Sequence, residues 1–141
     1  ELAPLLRECT QMLPPSPLAL DCTLADGLGE LELDSRLLAR AVCNLLRNAQ
    51  KYATGRILLS ASRSRSAVEI VVDDDGPGIP VDERDKVFEP FYRLDRSRDR
   101  ATGGFGLGLS ITRKAVALHG GTVRVDGSPL GGARFVITLP A

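Results

Sequence analysis

Two hydrophobic periods organise the chain. Along residues 67–80, AVEIVVDDDGPGIP, Val68, Ile70 and Val72 alternate with Glu69, Val71 and Asp73. A period of two filled with β-branched residues predicts a strand with one buried face. The run breaks at Asp74-Asp75-Gly76-Pro77-Gly78. Two glycines around a proline cannot extend a strand, and they let backbone approach something closely. Asp74 stands at the strand exit, where a buried carboxylate can accept from a ligand donor. Taken alone, Asp-Gly and Pro-Gly are also common turn chemistry. A helical period governs residues 35–53, which follow Asp34 as a good N-cap and contain no Gly or Pro. At about 100° per residue, Leu38, Val42, Leu45, Leu46 and Ala49 share one apolar face. Arg36, Arg40, Arg47 and Gln50 make a solvent face. Asn44, Asn48, Lys51 and Tyr52 form a third strip beside the core stripe. Two Asn inside a helix are poor choices on propensity, so a solvated amide edge competes there with a functional one.

The remaining pattern fills in around these two. Leu2, Leu5, Leu6, Cys9 and Leu13 have roughly helical spacing, and Pro14-Pro15-Ser16-Pro17 stops them. Residues 1–17 are therefore expected to end a preceding helical segment and its linker, with one domain over 18–141. Residues 18–24 alternate like a half-buried strand, and 27–33 have room for a second short one. Residues 56–63 and 67–73 make an antiparallel pair, and 81–88 a short helix. Residues 94–104 (LDRSRDRATGG) have no periodicity; a structureless stretch of this kind inside a domain is often a lid. Leu107, Ile111, Ala115 and Leu118 mark the apolar stripe of a further helix, stopped at His119-Gly120-Gly121. Residues 122–125 and 133–139 read as two closing strands.

Composition narrows the classes. A chain of 141 residues with 43% hydrophobic content suits one globular domain. No apolar run approaches the roughly 20 residues that span a bilayer. No signal peptide is visible and the first residue is not Met, as expected of an excised piece. Eighteen acids balance eighteen bases, so charge gives no case for nucleic acid or a membrane surface as the main partner. Cys9, Cys22 and Cys43 lack metal-ligand spacing and read as reduced thiols, two of them packed. With one histidine and no cysteine cluster, a zinc site is not expected.

Gly104-Phe105-Gly106-Leu107-Gly108 opens the last helix. Glycine backbone at a helix N-terminus suits an anion, because unpaired N–H groups and the helix dipole point at the charge. The spacing is neither a Rossmann fingerprint nor a P-loop, and a flexible hinge would use the same glycines.

Taken in order, the motifs are more specific than any one of them. NLLRNAQKYA (44–53), DDGPGIP (74–80), FEPFYR (88–93), GGFGLGLSI (103–111) and GGARFVITLP (131–140) follow one another. This resembles the catalytic and ATP-binding domain of bacterial sensor histidine kinases, in the gyrase/heat-shock-chaperone/MutL ATPase superfamily. The resemblance runs from about residue 18 to the end. It implies a Bergerat-type α/β two-layer sandwich, helices on one face of a mixed, mainly antiparallel sheet. It also implies ATP and Mg²⁺ as cofactors. Asp74 would accept from the exocyclic amine of adenine, where guanine offers an acceptor instead. Gly76 and Gly78 would let the loop close over the base, with Ile79 contacting the nucleotide. Asn48 would give Mg²⁺ one neutral oxygen, the ion keeping waters and taking its other ligands from the triphosphate. Lys51 and Arg93 would offset phosphate charge and Tyr52 would pack on the nucleotide. Gly104, Gly106 and Gly108 would present N–H groups to the phosphates, with Leu107 and Leu109 anchoring the helix.

Asn44 separates two activities within the resemblance. Hydrolases of the superfamily carry Glu at the corresponding position, and an amide has no basicity to activate water. The phosphoryl group is then expected to go to a histidine on a dimeric helical hairpin of the same receptor, and onward to a response regulator. His119, at a helix end beside two glycines, is expected to be structural or surface. An ATP hydrolase, a non-catalytic nucleotide-binding module and a serine kinase acting on an anti-sigma partner remain as rivals. The fragment is expected to be monomeric, with no nucleic-acid partner. It is also expected to be cytoplasmic, within an inner-membrane receptor.

Overall fold

A computed structural model describes residues 1–92 and 108–141. The expected roles of Arg93, Gly104, Gly106 and Leu107, and the lid expected at 94–104, lie outside the described residues. The elements run α1 (Leu2–Gln11), β1 (Ala19–Leu24), α2 (Ser35–Tyr52), β2 (Arg56–Arg63), β3 (Ala67–Asp74), α3 (Gly108–Leu118), β4 (Thr122–Gly127) and β5 (Ala133–Pro140). The five strands form one sheet in the order β1-β2-β3-β5-β4. β1 pairs parallel with β2 and every other pairing is antiparallel. The expected mixed, mainly antiparallel sheet is therefore present.

Side-chain period decides which face is covered. On β3, Val68, Ile70 and Val72 are fully buried, and Ile57, Leu59 and Ala61 of β2 pack with them. From α2, Leu38, Val42, Leu45, Leu46 and Ala49 meet that layer as the helical period predicts. On the opposite parity, Asp73 of β3 faces Arg134 of β5 in register. Arg134 Nε donates to Asp73 Oδ1 at 2.7 Å and Nη2 to Oδ2 at 3.2 Å, a two-pronged pair that satisfies a buried carboxylate. Leu2, Leu6 and Cys9 of α1 belong to the same core cluster, so the packing has no break at residue 17. Cys9 and Cys43 are buried and Cys22 is exposed. Burial and the neighbouring Cys43 push the Cys9 thiol up to about 12, which keeps it an inert packing group.

Three expected elements differ. No strand forms at 27–33. Gly27 and Gly29 have φ of +79° and +61°, outside the strand region. The backbone there is satisfied by the Arg63 guanidinium, which donates to the carbonyls of Leu28 (2.6 Å) and Glu30 (2.9 Å), and by Leu2 N–H donating to Gly29. Residues 81–88 make two 3₁₀ turns, Val81–Glu83 and Lys86–Phe88. One continuous helix would place residues seven apart on the same face, yet Val81 is 76% exposed while Phe88 is buried against Phe135. On α3 the buried face is Thr112, Ala115 and Val116, with Ile111 and Leu118 exposed. The Thr112 hydroxyl on that buried face lies 3.1 Å from the Gly108 carbonyl and 3.3 Å from that of Ala41. Gln50, expected on the solvent face, is half-buried and donates to the Pro14 carbonyl at 3.2 Å.

Candidate functional site

Asp74 is the last residue of β3 and shares the parity of Ile70 and Val72, so its side chain points into the helix-covered side. It is 2% exposed. Gly76 N–H donates to Oδ1 at 2.9 Å and Ala133 N–H donates to the same oxygen at 3.2 Å. Burial pushes this carboxyl up, and the two backbone donors pull partly against it. One carboxylate oxygen, Oδ1, is thus anchored by two backbone donors.

The glycines around it are needed for space. A Cβ on Gly76 would stand 2.3 Å from the Tyr52 carbonyl oxygen, so the loop touches the end of α2 directly. A Cβ on Gly132 would stand 2.2 Å from Asp74 Oδ1. Gly78 has φ +75°, which favours glycine. Sequence reasoning missed Gly132 as part of this site; only the β3–β5 pairing brings it to Asp74.

Asp75 was missed as well. Its Oδ1 accepts from the N–H groups of Thr54 (2.8 Å) and Gly55 (3.0 Å), and Oδ2 from that of Arg56 (3.0 Å). These are the residues joining α2 to β2, so one carboxylate latches that connection to the glycine loop. Its backbone donors hold the carboxyl down to about 2. A depressed acid stabilises the fold fully above its ordinary pKa of 3.8, and loses that contribution as pH falls through about 2. Asp75→Ala should therefore unfold at lower urea than the parent near neutrality, with the gap closing between about pH 4 and pH 2. A gap that persists unchanged at pH 2 would remove the latch.

α2 supplies the amide strip. Asn44 and Asn48 are half-buried, one turn apart. Asn44 Nδ2 donates to the Gly108 carbonyl at 3.3 Å, tying α2 to the first residue of α3. A carboxylate at residue 44 would face that carbonyl acceptor against acceptor. Lys51 is exposed, its Nζ lying 5.7 Å from the Tyr52 ring centroid. Leu109 packs half-buried against the core, and Ile79 flanks the loop, its carbonyl accepting from Arg84 Nε at 3.1 Å. The structure thus brings Asp74, Gly76, Gly78 and Ile79 to one end of β3, facing the Tyr52 end of α2. Asn44 and Gly108 meet on the α2–α3 side. His119 has both ring nitrogens engaged inside the fold, as a structural residue should.

A five-stranded mixed sheet carrying a buried acid before a glycine loop, under a helix with two half-buried amides one turn apart, defines a nucleotide-binding sandwich. The family model for histidine kinase-, DNA gyrase B- and HSP90-like ATPases matches residues 33–141, and the chain belongs to that family. Its named relatives are sensor kinases. The sensor protein RstB of Escherichia coli K12 is 49% identical over 108 residues, 77% of this chain and 25% of RstB. The alginate biosynthesis sensor protein KinB of Pseudomonas aeruginosa is 37% identical over 146 residues, 99% of this chain and 24% of KinB. Among solved structures, the mycobacterial sensor histidine kinase MprB superposes with TM-score 0.82 at 31% identity, covering 99% of this chain and 93% of that one. Full-length ShkA in complex with AMPPNP gives TM-score 0.85 at 30% identity, covering 99% of this chain and 30% of ShkA. The chain spans about a quarter of the length of the curated relatives it matches. Among the described residues no helix is long and apolar enough to cross a membrane.

Proposed function

We propose that this domain binds Mg·ATP between α2, α3 and the 74–79 loop, and donates the γ-phosphoryl group to a histidine on a dimerisation domain of the same receptor. The single observation that carries the reading is Asp74: a buried carboxylate with one oxygen already satisfied by backbone. Its other oxygen suits the exocyclic amine of adenine, whose donor would offset the burial that disfavours the charged form. Asn48 offers Mg²⁺ a neutral hard oxygen, and the ion, which retains waters and binds triphosphate, needs little more from the protein. Bound there, Mg²⁺ would neutralise charge on the transferring phosphoryl group. Lys51 and Arg93 offset the remaining charge, Tyr52 and Ile79 pack on the nucleotide, and Gly104, Gly106 and Gly108 offer backbone N–H groups. Leu107 and Leu109 anchor the helix behind them.

Asn44 favours transfer over hydrolysis on a specific observation: its amide is committed as a donor to Gly108, a role no general base can fill. The acceptor histidine, the response regulator that follows it and an inner-membrane parent with this domain in the cytoplasm belong to the same proposal. Residues 1–17 would then lead in from the histidine-bearing hairpin while packing on this domain. The test is to mix the chain with a separately made dimeric hairpin carrying the acceptor histidine. The expected result is slow, concentration-dependent formation of an acid-labile phosphoprotein, because the covalent linkage normally supplies proximity. Steady release of inorganic phosphate by the chain alone, with no label on the hairpin, would establish a hydrolase instead.

A further inference from the structure

Among the described residues, polar ties cross the seam between α2 and α3 at three points along its length. At one end Asn44 Nδ2 donates to the Gly108 carbonyl at 3.3 Å. Midway, the Thr112 hydroxyl stands 3.1 Å from the Gly108 carbonyl and 3.3 Å from that of Ala41, with one proton to give to either. At the other end, the N–H of Asp34 donates to His119 Nε2 at 2.9 Å, and His119 Nδ1 lies 2.8 Å from the Ala115 carbonyl. Because Nε2 accepts, the proton of the neutral ring sits on Nδ1, which donates to Ala115. Ala115 lies in the last turn of α3, where carbonyls lack helical partners. Asp34 is the N-cap of α2, its side chain already accepting from the N–H groups of Arg36 and Leu37. One imidazole therefore joins the tail of one helix to the head of the other.

We propose that His119 is a positioning residue for the triphosphate. It locks the far end of α3 to α2, about 16 Å from Gly108 at 1.5 Å per residue. The start of α3 is thereby held in register with Asn44 and Asn48. The adenine end depends on a different scaffold, since Asp74 is fixed by Gly76 and by Ala133 of β5. The two halves of one nucleotide are thus placed independently, and His119 governs only one of them. The inference rests on the Mg·ATP reading above.

Calorimetry of this chain with Mg·ATP and with adenosine separates the two scaffolds. His119→Asn keeps a donor near the Nδ1 position and offers nothing at Nε2, whereas His119→Gln can place an amide oxygen where Nε2 stood. His119→Asn should weaken Mg·ATP about tenfold, the scale of one lost hydrogen bond, and leave adenosine unchanged. His119→Gln should recover most of that loss. His119 is the chain's one histidine, so nitrogen NMR of the parent reads a single ring, expected with Nδ1 protonated and Nε2 bare. The opposite tautomer overturns the proposal whether or not either variant folds. So does equal weakening of both ligands in folded His119→Asn, or weakening of neither. A parent that binds neither ligand overturns the nucleotide reading itself, and with it this use of the clamp.

Discussion

Asp74→Asn should weaken Mg·ATP by roughly 10- to 150-fold in calorimetry, the equivalent of about 1.5–3 kcal/mol for a hydrogen bond to a charged group. The direction follows from which oxygen is already engaged. Gly76 and Ala133 both donate to Oδ1, so the asparagine must keep its oxygen there and turn its NH₂ toward the base. A donor then meets the adenine amine, and the same donor suits the acceptor that guanine carries at that place. Selectivity for ATP over GTP should narrow along with affinity. Thermal stability should not fall, because burial disfavours the native carboxylate and a neutral amide escapes that cost. Unchanged ATP affinity in the folded variant would remove Asp74 from the site.

Asn48→Ala should all but abolish phosphoryl transfer to the hairpin. The metal is worth several kcal/mol of charge stabilisation, so a drop of about 100-fold or more is expected in single-turnover labelling. Adenosine, which needs no metal, should bind the variant as it binds the parent. A variant that transfers at the parental rate would show that Asn48 does not hold the ion. Joint loss of adenosine binding would instead indicate damage to α2.

The sequence made legible whatever depends on near neighbours. The strand at 67–74 and the long helix at 35–52 are set by their own periods, and Asp34 caps its helix through residues two and three positions on. The motif order brought Asp74 and Asn44 forward before any contact was visible. What stayed hidden depends on partners far along the chain. The stretch at 27–33 follows the Arg63 guanidinium, more than thirty residues away. The buried side of α3 carries Thr112, whose hydroxyl lies 3.3 Å from the Ala41 carbonyl, a contact that a hydrophobic stripe cannot foretell. Gly132 looks like ordinary hairpin glycine until β5 lies beside β3, and Asp75 looks like a second turn acid until Thr54, Gly55 and Arg56 converge on it.

The position of β5 in the sheet has a consequence for how the protein is made. It is the last of the five strands among the described residues, yet it lies between β3 and β4 and not at a rim. A ribosome that has released residues up to about 127 has produced three paired strands whose growing edge, the outer side of β3, is unpaired. β4 at that moment has nothing to dock on. The same late strand brings Ala133 to the Asp74 carboxylate, so a chain cut before β5 lacks one of the two donors that anchor it. Nascent chains should therefore remain open to chaperones and proteases until the β4–β5 hairpin emerges, and products truncated before β5 should be cleared.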